Sequence, residues 1–185
     1  VSSSVNFQQE EYRNVSTALY LLYRDLRLKK IPFPTFEIAH AVHWQKIHPA
    51  QSISKSGLPY IEEGSFAFDI ISIAEDLPIV GLIPKIGSLL YKAKKGFSDW
   101  WTKNGERELK TIQQLEPHQI EECLPYYFAL DLNDYLETHT KQIVFFLDTY
   151  ESLWEKEEDR KKEKFFSKDR WIRKLIQNLP HTLWV

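Results

Sequence analysis

Two hydrophobic rhythms alternate along this chain, and each predicts a kind of element. Leu19, Leu22, Tyr23 and Leu26 fall at i, i+3, i+4 and i+7, which puts one apolar face on a helix opening at Ser16. A short β-prone stretch, Val5 to Phe7, precedes it. The prolines of "KKIPFP" end that helix, because proline lacks the amide donor and fixes φ. A second helix is expected from Thr35 to Ile47, closed by Pro49. Ser52 to Ser65 reads as a loop, rich in serine and carrying two glycines and a proline. Phe66 to Glu75 predicts a helix, whereas Leu77 to Gly87 is apolar but broken by Pro78, Gly81, Pro84 and Gly87. Ser88 to Leu115 predicts helix in two pieces, interrupted near Lys103 to Glu106. Leu124, Tyr127, Phe128, Leu132, Tyr135 and Leu136 share the face of a further helix ending near His139.

The rhythm then changes. Ile143 to Leu147 is apolar without alternation, which predicts a strand buried on both faces, and it stops on Asp148. Glu155 to Lys164, "EKEEDRKKEK", is an unbroken charged run of nearly balanced sign, read as a solvated face. Ser167 is the expected cap of a helix whose apolar side is Trp171, Ile172, Leu175, Ile176 and Leu179. Pro180 ends it, and Thr182 to Val185 begins another strand. Strand, helix, strand is the pattern of two parallel strands joined by a crossover. Ligands of open parallel sheets bind outside the carboxyl ends of the strands, where Asp148 is expected.

Composition narrows the function classes. The 185 residues carry a net charge of −2, so no overall field draws the chain to nucleic acid or a membrane surface. Ile70 to Tyr91, interrupted by Glu75, Asp76, Pro78, Pro84 and Lys85, is too broken for a membrane span. The single cysteine, Cys123, permits no internal disulfide and fits a reducing compartment, so the expected location is cytoplasmic. The absence of methionine and the apolar ending "HTLWV" lead to the expectation that the chain is a piece of a longer protein.

Several residues could carry chemistry. Asp148 at a strand end suits Mg²⁺, which takes hard oxygen ligands and keeps several waters, so one carboxylate suffices. Glu151, three residues on, suits the orientation or deprotonation of an attacking water. The competing reading makes Asp148 a turn cap and Glu151 an exposed charge. His40 and His43 stand three apart on a predicted helix with His48 nearby, a spacing that holds zinc, but no cysteine or H-E-x-x-H accompanies them. Partly buried histidines are the plainer reading, and Cys123 has no motif around it. Lys92, Lys94, Lys95 and Lys103 interleave with Phe97, Trp100 and Trp101, a stacking pattern for nucleic acid or a membrane-surface helix. A helix with an aromatic core face and a solvated basic face explains the same residues.

"YYFALDLNDYLETHTKQIVFFLDTYESLW" and "DRWIRKLIQNLPHTLWV" resemble the middle of bacterial STAND-type ATPases, AAA-like signal-transduction NTPases of the P-loop class often joined to tetratricopeptide repeats. The "FFLDTYE" stretch resembles their Walker B strand. The likeness covers Tyr126 to Val185, fits residues 1–50 more loosely, and leaves 51–115 as an insertion. No G-x-x-x-x-G-K-S/T occurs; "GLIPKIGS" at Gly81 to Ser88 has the wrong spacing for a phosphate cradle.

The resemblance implies an α/β fold: a partial P-loop NTPase-like parallel sheet with large helical content and a mainly helical insertion. Residues 1–50 and 116–185 would form the NTPase core, with the Walker B strand in the second part, and 51–115 the insertion. It implies an ATP-dependent signalling switch in which Asp148 binds Mg²⁺ with ATP and Glu151 is the catalytic carboxylate. Nucleotide and other domains of the parent chain, or a protein partner, are the implied partners; nucleic acid is not among them. The rival is a non-enzymatic interaction module on a degenerate NTPase fold, using the apolar and aromatic surface of Leu77 to Trp101.

Overall fold

The computed structural model describes residues 1–50, 65, 67–69, 99–154 and 167–185. The apolar segment at 77–87, Lys92, Lys94, Lys95, Phe97 and the charged run at 155–164 lie outside the described residues. So do the loop and helix read at 52–75, apart from Ser65 and the helical residues 67–69. The chain divides into two compact units, residues 1–32 with 124–185, and residues 33–123.

The first unit is mixed α/β. Among its described residues lie three strands, β1 (Ser2–Asn6), β2 (Val144–Asp148) and β3 (Leu183–Trp184), in the order β1-β2-β3. Both pairings are parallel, Ser2 to Asn6 against Val144 to Asp148, and Val144 and Phe145 against Leu183 and Trp184. Its helices are α1 (Val15–Arg27), the later part of α4 (Pro117–Thr138) and α5 (Arg170–Asn178).

The small parallel sheet agrees with the sequence reading; its coverage does not. Side chains alternate across a strand, so Ser3, Val5, Ile143 and Phe145 share one face. All four are buried. Phe145 stacks on Trp184 at 4.4 Å and meets Phe128 of α4 at 6.2 Å. The other face carries Ser2, Ser4, Phe146 and Leu183, all exposed, with Phe146 at 42% and Leu183 at 49%. The strand expected to be buried on both faces is therefore buried on one. Asp148 also falls within β2, as its last residue, rather than after it.

Local chemistry sets the boundaries. Asn14, not Ser16, caps α1: its side chain accepts the Thr17 amide at 3.1 Å. Leu19, Leu22, Tyr23 and Leu26 are buried, as their spacing requires. On α1, Asp25 accepts the Ser3 hydroxyl at 3.1 Å and the Ser4 amide at 3.4 Å, which occupies the outer edge of β1. Asp169 stands at the N-cap of α5 without a side-chain capping bond, in place of the expected Ser167. Pro125 lies inside α4 and cannot supply its share of the helical ladder.

The second unit is helical in its described residues. Its α2 (Pro34–Ile47) is buried continuously from Pro34 to Trp44, including Glu37, His40 and His43. The interruption expected near Lys103 to Glu106 is a π-helical turn, Trp101–Gly105, leading into α3 (Glu106–Leu109). Gly105 is required there, because a Cβ would lie 2.7 Å from the rings of Trp100 and Trp101. Among the described residues no helix is long and apolar enough to cross a membrane.

Candidate functional site

The carboxyl end of β2 runs directly into a short, hydrogen-bonded turn. Asp148 ends the central strand, and its carbonyl accepts the Phe7 amide at 3.0 Å, prolonging the β1 pairing by one bond. Thr149 follows with φ of 52°, in the left-handed region. For a β-branched residue that is an outlier costing on the order of 1–3 kcal/mol. A 3₁₀ turn, Tyr150–Trp154, then carries Glu151, and the Ser152 amide donates to the Thr149 carbonyl at 2.9 Å.

Side chains brace this turn from β1. The Thr149 hydroxyl donates to Asn6 Oδ1 at 2.7 Å, with the Asp148 carbonyl 2.8 Å away as a second acceptor. The Gln8 amide reaches both Asn6 Oδ1, at 2.8 Å, and Thr149 Oγ1, at 2.9 Å. On the far side, the Tyr150 hydroxyl donates to Asp169 Oδ2 at 2.7 Å. Burial, then that bond and the carboxylate charge, hold the Tyr150 phenol above the usual tyrosine range. Arg173 closes on Asp169 Oδ1 at 3.0 Å. Phe7, fully buried, makes edge contacts with Tyr150 and Trp171 and anchors the turn from below.

Asp148 and Glu151 are both exposed, and neither carboxylate has a partner among the described residues. The structure thus brings the two onto one braced turn at the sheet's carboxyl end. As donors they fit a hard cation: exposed oxygens, free to coordinate, with room for the waters that Mg²⁺ retains. Among the described residues no three His, Cys, Asp or Glu side chains cluster as a metal cage. The strand order is also sequential, so the described strands contain no reversal of the kind that opens a ligand crevice in doubly wound sheets. A cavity of ≈ 660 Å³ lies at the opposite end of the sheet, lined by residues that include His139, Lys141 and His181.

The other candidates take plainer roles. His40 and His43 are each 6% exposed within α2, and burial lowers the His43 pKa, which favours the neutral imidazole. Cys123 is a half-buried thiol outside any disulfide. Trp101 is buried and the Trp100 indole donates to Thr35 Oγ1 at 3.3 Å, so these rings serve the second unit's interior rather than an open stacking platform.

Sequence reasoning missed Asn6, Gln8, Thr149, Tyr150 and Asp169. Tyr150 and Asp169 flank a charged run that gives no hint of their pairing. Only the small polar residues at both strand ends could have signalled the brace. Comparison with protein-family models, curated proteins and solved structures finds no match.

Proposed function

We propose that this chain supplies the acidic, strand-end half of an ATP-dependent signalling switch of the STAND-like P-loop type, working in the cytoplasm. The observation that carries the reading is Asp148: an exposed carboxylate at the carboxyl end of the central strand of an all-parallel sheet. Asp148 would hold Mg²⁺, which supplies charge neutralisation at the transferred phosphate when bound with ATP. Glu151, three residues along the same turn, would orient the attacking water. The bonds from Thr149 to Asn6 and from Tyr150 to Asp169 brace the segment between the two carboxylates.

A phosphate cradle must come from sequence outside these residues, so the isolated chain should bind nucleotide weakly or undetectably. Calorimetric titration checks this, and micromolar ATP binding by the isolated chain would contradict it. The functional test uses the intact gene product. Substituting Asp148→Asn or Glu151→Gln should lower its ATP hydrolysis by about 100-fold or more. An intact product that binds no nucleotide would sink the reading.

The rival reading, a non-enzymatic interaction module, is favoured by one observation. Phe146, Leu183 and Val185 are exposed, at 42%, 49% and 65%. Parallel sheets are normally covered on both faces. In that case Asp148→Asn would leave every activity of the intact product unchanged, and substitutions at Phe146 would not.

A further inference from the structure

We propose that the cavity at the amino ends of the strands binds a small organic anion, with His139, Lys141 and His181 meeting its phosphate or carboxylate group. This site is separate from the Asp148 turn and does not depend on the strand-end reading.

Two junctions of the chain form it. α4 ends at Thr138, and a short polar segment leads into β2; α5 ends at Asn178, and Pro180 and His181 lead into β3. Both junctions open onto one cavity of ≈ 660 Å³, lined in part by Leu136, Glu137, His139, Lys141, Pro180 and His181. Asn133 on α4 donates to the Asn178 carbonyl at 2.8 Å, which ties the second junction to the first. Pockets for small organic molecules span roughly 300–1,000 Å³, so a molecular body fits here as well as its charged group. Leu136 and Pro180 supply an apolar wall for that body.

The charged group is indicated by the lining. Three side chains able to carry positive charge face one carboxylate, Glu137, in a chain whose net charge is −2. Tyr135, only 8% exposed, holds two of the three. The His139 ring stacks on it at 4.0 Å, and Lys141 Nζ stands 5.4 Å from its centre. Basic groups that follow a helix also complement its negative end. That role accounts for one bond, from His139 Nδ1 to the Tyr135 carbonyl at 2.9 Å. A carbonyl only accepts, so Nδ1 holds the proton and Nε2 is left for a ligand. An anion beside Nε2 favours its protonation and receives the resulting N–H. Among the described residues the Lys141 ammonium and the His181 ring have no hydrogen bond or ion pair, so neither is committed to a helix end. Ligands of parallel sheets ordinarily sit at the carboxyl ends of the strands, so analogy with such folds does not point to this cavity.

The experiment is an NMR titration of the chain at fixed pH and ionic strength, following the imidazole signals of His139 and His181 and the amides of residues 139–142. The probes are phenyl phosphate, benzoate, inorganic phosphate and benzyl alcohol. Phenyl phosphate or benzoate should give saturable shifts at these residues with a dissociation constant of about 1 mM or below. The tighter of the two assigns the group as phosphate or carboxylate. Inorganic phosphate should bind several-fold more weakly, and benzyl alcohol should not saturate. Lys141→Gln and His181→Gln should each weaken the organic anion about fivefold, while Lys141→Arg stays within about twofold of the parent. Lys29→Gln removes an exposed lysine just beyond α1 and should change nothing.

No saturation by either organic anion below about 10 mM overturns the proposal. So does an equal response to benzyl alcohol, or an equal loss in Lys29→Gln. Inorganic phosphate binding as tightly as the organic anions overturns the organic body. Lys141 and His181 are exposed, so both variants should fold, and a thermal melt checks this. The parent titrations decide the question even where a variant does not fold.

Discussion

Tyr150→Phe is the most discriminating single change in the first unit. It deletes one oxygen and leaves the ring, so the edge contacts with Phe7 at 6.3 Å and Trp154 at 5.1 Å persist. What disappears is the 2.7 Å bond to Asp169, a residue only 7% exposed. A hydrogen bond to a charged group contributes about 1.5–3 kcal/mol, and the acceptor left behind is a nearly buried carboxylate. Arg173 remains 3.0 Å from Asp169, but its own side chain is 45% exposed, so solvent screens that pair. Such a pair is worth about 0–1 kcal/mol and offsets only part of the loss. The expected destabilisation is about 2 kcal/mol, read as a shift of the urea midpoint at unchanged slope. Asp169→Asn and the double variant complete a cycle, in which a coupling of about 1–2 kcal/mol is expected. If Tyr150→Phe lies within about 0.5 kcal/mol of the parent, or the two changes simply add, the reasoning about this bond is wrong.

Four further outcomes follow from the geometry. Phe145→Ala empties a fully buried site between Phe128 and Trp184 and should cost about 3–5 kcal/mol in denaturant titration. Gly105→Ala drives a Cβ to within 2.7 Å of two indole rings and should cost about 1–3 kcal/mol, with altered tryptophan emission. Burial lowers the His43 pKa, so the folded state binds fewer protons there than the unfolded chain. Its contribution is complete above the unfolded value of about 6.5 and is lost as pH falls below it, so His43→Gln should flatten the acid limb of a stability–pH profile. Asp148→Asn and Glu151→Gln should each change stability by less than about 0.5 kcal/mol, because both carboxylates are exposed and without described partners. A loss above about 1 kcal/mol at either position would assign it a structural role instead.

Helical periodicity was easy to read where one face alone is buried. Leu19, Leu22, Tyr23 and Leu26 of α1 form such a stripe. In α2 the same logic finds the helix but not its setting, because Glu37, His40 and His43 are buried along with the apolar residues and no stripe exists. The apolar run ending at Asp148 revealed β2, and Asp148 does stand at its end. It could not reveal that Phe146 faces outward, since coverage of a sheet is decided by other segments. Most of β1 was missed because "SSSVN" carries little apolar signal. Its Ser3 succeeds because the Leu22 carbonyl and Asp25, at 3.2 and 3.1 Å, offer alternative acceptors for its one hydroxyl proton, which are visible only once α1 lies against the strand. The brace on Thr149 was illegible for a similar reason: its bond to Asn6 spans 143 positions of sequence.

Asp25 has a consequence for how the chain avoids misassembly. An edge strand invites a foreign strand to continue its ladder, and the invitation consists of outward amides and carbonyls. On β1, an edge strand among the described residues, the outward amide of Ser4 already points at a carboxylate, and the Ser3 hydroxyl lies within hydrogen-bond reach of the same group. An intruding strand would have to displace a carboxylate from the Ser4 amide before gaining that bond. At Ser4 this flank of the sheet is guarded by one side chain, and Asp25→Ala would free that amide for a foreign strand.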